Sequence, residues 1–205
     1  PKTILGPITG GAYFNKSSKI IYFIRRFFFP IFYKLSEFFL NIRKDDDIIF
    51  STDLLKKNLS NKTKKKSVFN FVIKNFKFKK YKKKKIDFLI YHRKHDNKVS
   101  FFNYDLIKKL IKMKFRIFVV GDILKLRGIK NLGYINKRKI DILQSQSKYT
   151  INSGENIYSF FTLECISNHV KILIDKKNSK KIKFFKKLFI LCNIKNMDIK
   201  KIKNS

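Results

Sequence analysis

Acidic residues are scarce in this chain. Its 205 residues hold 14 Asp and Glu against 49 Lys and Arg, a formal net charge of +35. Cysteine is scarcer still: Cys165 and Cys192 are the only two, so neither a disulfide framework nor a four-thiolate zinc site can be built. Seven Gly and three Pro exclude a fibrous or linker composition. The sequence has no uninterrupted apolar run of about 18 residues, so no ordinary membrane span is expected. What is abundant is apolar: 44% hydrophobic and 16% aromatic residues exclude a wholly disordered basic tail. The length suits one full α/β domain and part of a second. The chain starts at Pro1 rather than Met, so a fragment or a processed product is expected.

The basic excess has two readings. Nearly all of it is Lys, and it accompanies abundant Ile, Asn, Phe and Tyr. Those residues have AT-rich codons, so an AT-rich genome would impose this bias whatever the protein does. The other source is attraction to an anionic surface, membrane or nucleic acid.

Three regions can be separated. Residues 1–58 open with a Gly-rich turn, Gly6 to Gly11, and continue into an aromatic stretch from Ile20 to Ile42 that carries Arg25, Arg26 and Lys34. Pro30 is expected to kink any helix there. The Phe27-Phe28-Phe29 stretch fits a membrane interface, apolar face down, or a helix packed on its own domain. Asp45-Asp46-Asp47 then precedes a buried-strand pattern, Ile48 to Thr52. An acidic metal site would follow a strand rather than precede one, so a turn is expected. Residues 59–84 hold Lys runs around a hydrophobic patch and read as a basic interdomain connection.

From residue 85 to 205 strand and helix alternate. Strands are expected at 86–91, 115–120, 131–135, 148–152 and 170–174, and helices at 104–113, 137–144 and 157–167, with a helical tail after them. This spacing argues an α/β fold with a doubly wound parallel sheet. Ligands of such sheets bind outside the carboxyl ends of the strands. Those ends carry His92-Arg93-Lys94-His95 and Lys98, then Gly121-Asp122, then Ser153-Gly154-Glu155 ahead of Glu164. Cations that neutralise phosphates, a helix N-terminus and carboxylates that accept a ribose diol together suit a nucleotide diphosphate. The competing reading is solvated loop charge. His92 and His95 lack further ligands for a metal site and are expected as loop residues beside the phosphates; Cys165 is expected as a buried helix residue.

The order of these pieces resembles the C-terminal, donor-binding domain of GT-B glycosyltransferases, in particular family 4 (group 1). Four elements carry the resemblance: Tyr91-His92-Arg93 with Lys98 five residues after the Arg, Val119-Val120-Gly121-Asp122, Asn131 to Ile135, and Ser153 to Cys165 with its two glutamates. The departures are His92 and Ser159 where the family has Gly, one extra residue between Glu155 and Glu164, and no Pro before the last strand. The resemblance covers about residues 86–175, and Gly6 to Gly11 with Asp47 to Thr52 resemble the end of such an enzyme's N-terminal domain. It implies a Rossmann-like donor domain behind an incomplete acceptor-side domain, most of which would lie upstream. It further implies transfer of a sugar from a nucleotide-diphosphate donor to a glycan or lipid-linked acceptor, with retention and without a metal cofactor. By the resemblance, Arg93 and Lys98 contact the donor phosphates, Glu155 the donor sugar and Glu164 the ribose. Gly121, Gly154, Ser159 and Phe160 are lesser candidates for phosphate or sugar contact. A cytoplasmic protein, peripheral on the inner face of the membrane, would fit. The alternative is a non-catalytic basic module on an anionic membrane or on nucleic acid. The sequence carries no RNA-binding signature, so nucleic acid rests on charge alone.

Overall fold

Near-continuous apolar runs such as Ile86 to Tyr91 are what a strand needs when both faces of its sheet are covered. In the computed structural model that run is the central strand of a six-stranded sheet. The structure describes residues 2–8, 19–43, 45–71, 77–94 and 102–193. The chain divides into two units, Pro1–Ile73 and Lys74–Ser205.

The first unit pairs β1 (Ile4–Ile8), β2 (Asp47–Phe50) and β3 (Ser67–Phe69) in a parallel sheet of order β1-β2-β3. Between the strands run α1 (Lys19–Ile42) and the short α2 (Asn61–Lys65). Its core is Ile48, Phe50, Leu59 and Phe69, with Tyr33 of α1 packed against it. The Phe50 and Phe69 rings stack at 5.1 Å. Pro30 lies inside α1. The Asp triplet is used structurally: Asp46 accepts from the Thr3 N–H at 2.8 Å, Asp45 pairs with Arg43 and Asp47 with Lys2. Part of the stretch expected as a connection, 59–73, thus carries a helix and a strand of this first unit.

The second unit is Rossmann-like. Its strands are β4 (Ile86–His92), β5 (Ile117–Gly121), β6 (Lys130–Gly133), β7 (Ser147–Ile151), β8 (Lys171–Asp175) and β9 (Phe189–Cys192). Every neighbouring pair is parallel, and the order is β6-β5-β4-β7-β8-β9. The crossovers carry α3 (Tyr104–Lys112), α4 (Lys137–Gln146) and α5 (Phe160–Ser167). Side chains alternate across β4. Phe88 and Ile90 meet Leu106, Ile107 and Leu110 of α3 together with Ile117, Val119, Tyr149 and Leu173. Tyr91, one position on, stacks with Phe161 of α5 on the other face, ring centroids 5.4 Å apart.

Local chemistry sets the helix ends. Asn136 caps α4 by accepting from the Lys139 N–H at 2.9 Å, and Ser159 caps α5 by accepting from the Thr162 N–H at 3.3 Å. The Lys84 ammonium donates to the carbonyls of Ser145 (3.1 Å) and Asn168 (2.7 Å), where α4 and α5 end. Burial lowers the Lys84 pKa.

Two expectations need correction. The helix expected from 157 starts at Phe160, because Ser159 takes the capping position. Up to residue 193 the segment after β8 holds, in place of the expected helical tail, two 3-10 helices, Lys176–Lys181 and Lys186–Leu188, that lead into β9, whose apolar Phe-Ile-Leu-Cys run pairs beside β8; the rest of the expected tail lies outside the described residues.

Candidate functional site

Parallel strands bring all their carboxyl ends to one edge. From β4 the chain crosses to β5 on one side; from β7 it crosses to β8 on the other. Opposite departures from neighbouring strands leave a crevice between them, the place where such sheets hold ligands. A cleft of about 400 Å³ lies there, a size that holds small ligands. Tyr91 and Arg93 line it from β4. Asn152, Glu155, Asn156 and Ser159 line it from the segment after β7, and Phe160, Phe161 and Glu164 from α5. Phe102 and Ile107 add apolar surface.

Arg93 owes its position to Asp122. The Lys94 N–H donates to the Asp122 carboxylate at 2.7 Å, and the Asp122 N–H donates to the His92 carbonyl at 3.0 Å. The turn bearing Arg93 is thus held on both sides by one residue at the end of β5. The Tyr134 hydroxyl donates to the other Asp122 oxygen at 2.7 Å. The Lys94 N–H and that hydroxyl hold the Asp122 carboxyl below the usual carboxylate range. Gly121 lets the two strand ends approach. Its φ is +96°, and a Cβ there would lie 2.3 Å from the His92 carbonyl oxygen.

The opposite wall is built on Asn152, which is buried. Its side-chain NH₂ donates to the carbonyls of Asn156 and Ile157, both at 3.2 Å, and to the Thr162 hydroxyl at 3.0 Å. Its side-chain oxygen accepts from the Gly154 N–H at 2.7 Å. One amide therefore shapes the loop from β7 to α5. That loop delivers Glu155, 8% exposed, to the cleft. Asn156 carries a buried side-chain oxygen with no hydrogen-bond partner among the described residues. At the start of α5, the Phe160 and Phe161 N–H groups have no acceptor within the helix. Glu164 lies four residues beyond Phe160, about 6 Å along the axis, and is ion-paired with Lys137 of α4.

The expected residues fall into three groups. Arg93, Glu155, Ser159, Phe160 and Glu164 border one cleft, although β4 and α5 are some seventy residues apart in sequence. Gly121 and Gly154 do not line it. Gly121 serves the β4–β5 approach, and Gly154, at φ +78°, backs onto Asn178 and accepts from the Lys181 ammonium at 3.2 Å. Lys98 and His95 lie outside the described residues. His92, expected in a loop beside phosphates, is instead the buried last residue of β4, because its Nδ1 donates to the Asp122 carbonyl at 2.9 Å and its ring packs on Phe102. Cys165 is fully buried, and burial pushes its thiol up. Among the described residues no group of three or more His, Cys, Asp or Glu is arranged to hold a metal.

Sequence reasoning passed over Asn152, Tyr91, Asp122 as a clamp, and Lys137. The first three stand at the ends of β7, β4 and β5, a signal that strand-end inspection could have used. Nothing in the sequence pairs Lys137 with Glu164. No family model and no curated protein matches this chain.

Proposed function

We propose that the second unit binds the diphosphate and ribose of a nucleotide sugar, and that the protein is a GT-B-type glycosyltransferase that moves the sugar to a glycan or lipid-linked acceptor. One observation carries the reading. A guanidinium at the end of β4 and two carboxylates from the β7–α5 segment meet in one ligand-sized cleft at the point where the chain's crossovers reverse.

Each part has a chemical task. Arg93 and the α5 N-terminus supply positive charge and N–H donors for a diphosphate. Arg93 counts most as the diphosphate leaves and charge develops on it. Lys98, five residues on, would add a second cation. Glu164 accepts ribose hydroxyls; a carboxylate has about four acceptor positions, so it can keep Lys137 as well. Glu155 faces sugar hydroxyls. The stacked Tyr91–Phe161 pair offers an apolar wall for a base or a sugar face.

The test is calorimetric titration of the full chain with UDP and with GDP. Saturable binding of at least one is expected. Glu164→Gln should weaken it roughly ten- to hundredfold, the equivalent of a charged hydrogen bond. Arg93→Ala should cost more in donor turnover than in affinity. If the wild type binds neither nucleotide saturably, the donor-site reading is wrong. A basic polyanion binder would show a different pattern: Glu164→Gln silent, and each Lys or Arg change slightly weakening.

A further inference from the structure

Helix α1 has two faces of opposite use. With 24 residues it is about 36 Å long. One stripe holds it to its own unit. Tyr33 packs on the core, the Glu37 carboxylate accepts from the Ser60 N–H (2.8 Å) and hydroxyl (2.6 Å), and the Asn41 amide donates to the Thr63 hydroxyl (3.3 Å). Glu37 is the only acidic residue in the helix, and it is spent on this inner stripe.

The opposite stripe recurs every three or four residues from Ile20 to Ile42 and is apolar and open. Phe23, Phe27, Ile31, Phe32, Phe38 and Phe39 are 57–71% exposed. Water-soluble monomers rarely leave so long a contiguous apolar strip uncovered. Its edges carry exposed cations, Lys34 on one side and Arg43, which also pairs with Asp45, on the other. Among the described residues no helix is long and apolar enough to cross a membrane. A helix with this division lies in an interface rather than through it.

We infer that the exposed face of α1 docks the first unit onto an anionic lipid surface, with the phenylalanines at the acyl boundary and Lys34 and Arg43 at the level of the lipid phosphates. Charge decides between occupants. Pairing the strip with a second copy would bring together two chains of net charge +35, whereas an anionic bilayer turns the same charge into attraction. Lys34, at the edge of the strip, can lay its methylenes along the apolar surface and keep its ammonium at headgroup level. The inference concerns the first unit and stands independently of the nucleotide cleft.

The chain contains no tryptophan, so a single introduced indole reports its own surroundings. Phe32→Trp, on the open stripe, and Tyr33→Trp, on the packed one, would be titrated with vesicles of phosphatidylcholine alone and with about one-third phosphatidylglycerol. Phe32→Trp should shift to the blue on the anionic vesicles and be quenched by brominated acyl chains, while Tyr33→Trp should do neither. Raising salt should weaken the binding. Phe27→Ser with Phe38→Ser should lower vesicle affinity about tenfold or more while leaving the circular dichroism and melting of the chain unchanged, since both residues are exposed. The inference is overturned if the wild type does not sediment with anionic vesicles or if the serine pair binds as tightly. It is equally overturned if the Phe32→Trp shift follows protein concentration without lipid quenching, which marks a second copy as the occupant.

Discussion

Asn152→Ala offers a demanding check of how the cleft is built. The substitution removes an amide whose NH₂ group serves two backbone carbonyls and one hydroxyl and whose oxygen serves the Gly154 N–H. Asn152 is 5% exposed, so water cannot readily replace what is lost. Each buried group left unpaired costs about 1–3 kcal/mol. The Ile157 carbonyl and the Gly154 N–H are the two most enclosed, because both bonds are buried; the Thr162 hydroxyl retains Ser159 at 2.9 Å. Two such losses give roughly 2–6 kcal/mol, or on the order of 6–24 °C in Tm for a unit of this size. Asn152→Asp should be at least as damaging at neutral pH, because a carboxylate would face the carbonyls of Asn156 and Ile157. Thermal melting of the three proteins, followed by nucleotide titration at a temperature where all are folded, is the assay. Both variants should melt lower and bind nucleotide more weakly, since the loop delivers Glu155 and Asn156. A change below about 0.5 kcal/mol would refute the assignment of Asn152 as the organiser of this wall.

Other consequences can be checked together. Gly121→Ala should destabilise the second unit by at least about 2 kcal/mol, read by urea unfolding, because the new methyl meets the His92 carbonyl and the positive φ disfavours a side chain. For Asp87, burial raises the pKa, but the Arg116 N–H at 3.0 Å and the Lys148 ammonium at 3.1 Å outweigh it, and the net shift is downward. Its contribution is therefore present above the unfolded value of about 3.9 and is lost as pH falls through the lower folded value. Asp87→Asn should accordingly be less stable than wild type at pH 7 and equal to it in strong acid, as measured by unfolding at a series of pH values. Burial raises both thiols, that of Cys192 to about 11. Ellman's reagent should react slowly with the native protein and quickly with both cysteines in denaturant.

Much of the second unit was legible because its strands carry their own evidence. Past the charged Asp87 and Arg116, Phe88 to Tyr91 and Ile117 to Val120 are continuous apolar runs rather than the alternation of a half-exposed strand, and Tyr104 to Met113 places Leu106, Ile107 and Leu110 on one helical face. Charged and polar residues gather where those runs stop, so Arg93 and Glu155 could be picked from strand ends alone. Strand β9 was missed because its four residues follow a Lys-rich stretch, and only pairing beside β8 makes them a strand. His92 was misread for a related reason: its sequence neighbours are charged, but its place is fixed by Asp122, thirty residues away. The role of Gly154 was likewise hidden, since Asn178 and Lys181 reach it from the segment after β8. Contacts of that range leave no local pattern to read.

The most direct measurement is amide hydrogen exchange of the full chain with and without saturating UDP or GDP. Binding at the β4–β7 crevice predicts added protection at residues 91–94 and 152–164. The same account predicts no change at the opposite edge of the sheet, around Lys83, Lys148 and Lys171. Protection confined to that lysine-rich edge, or no change anywhere at saturating nucleotide, would contradict the assignment of the cleft.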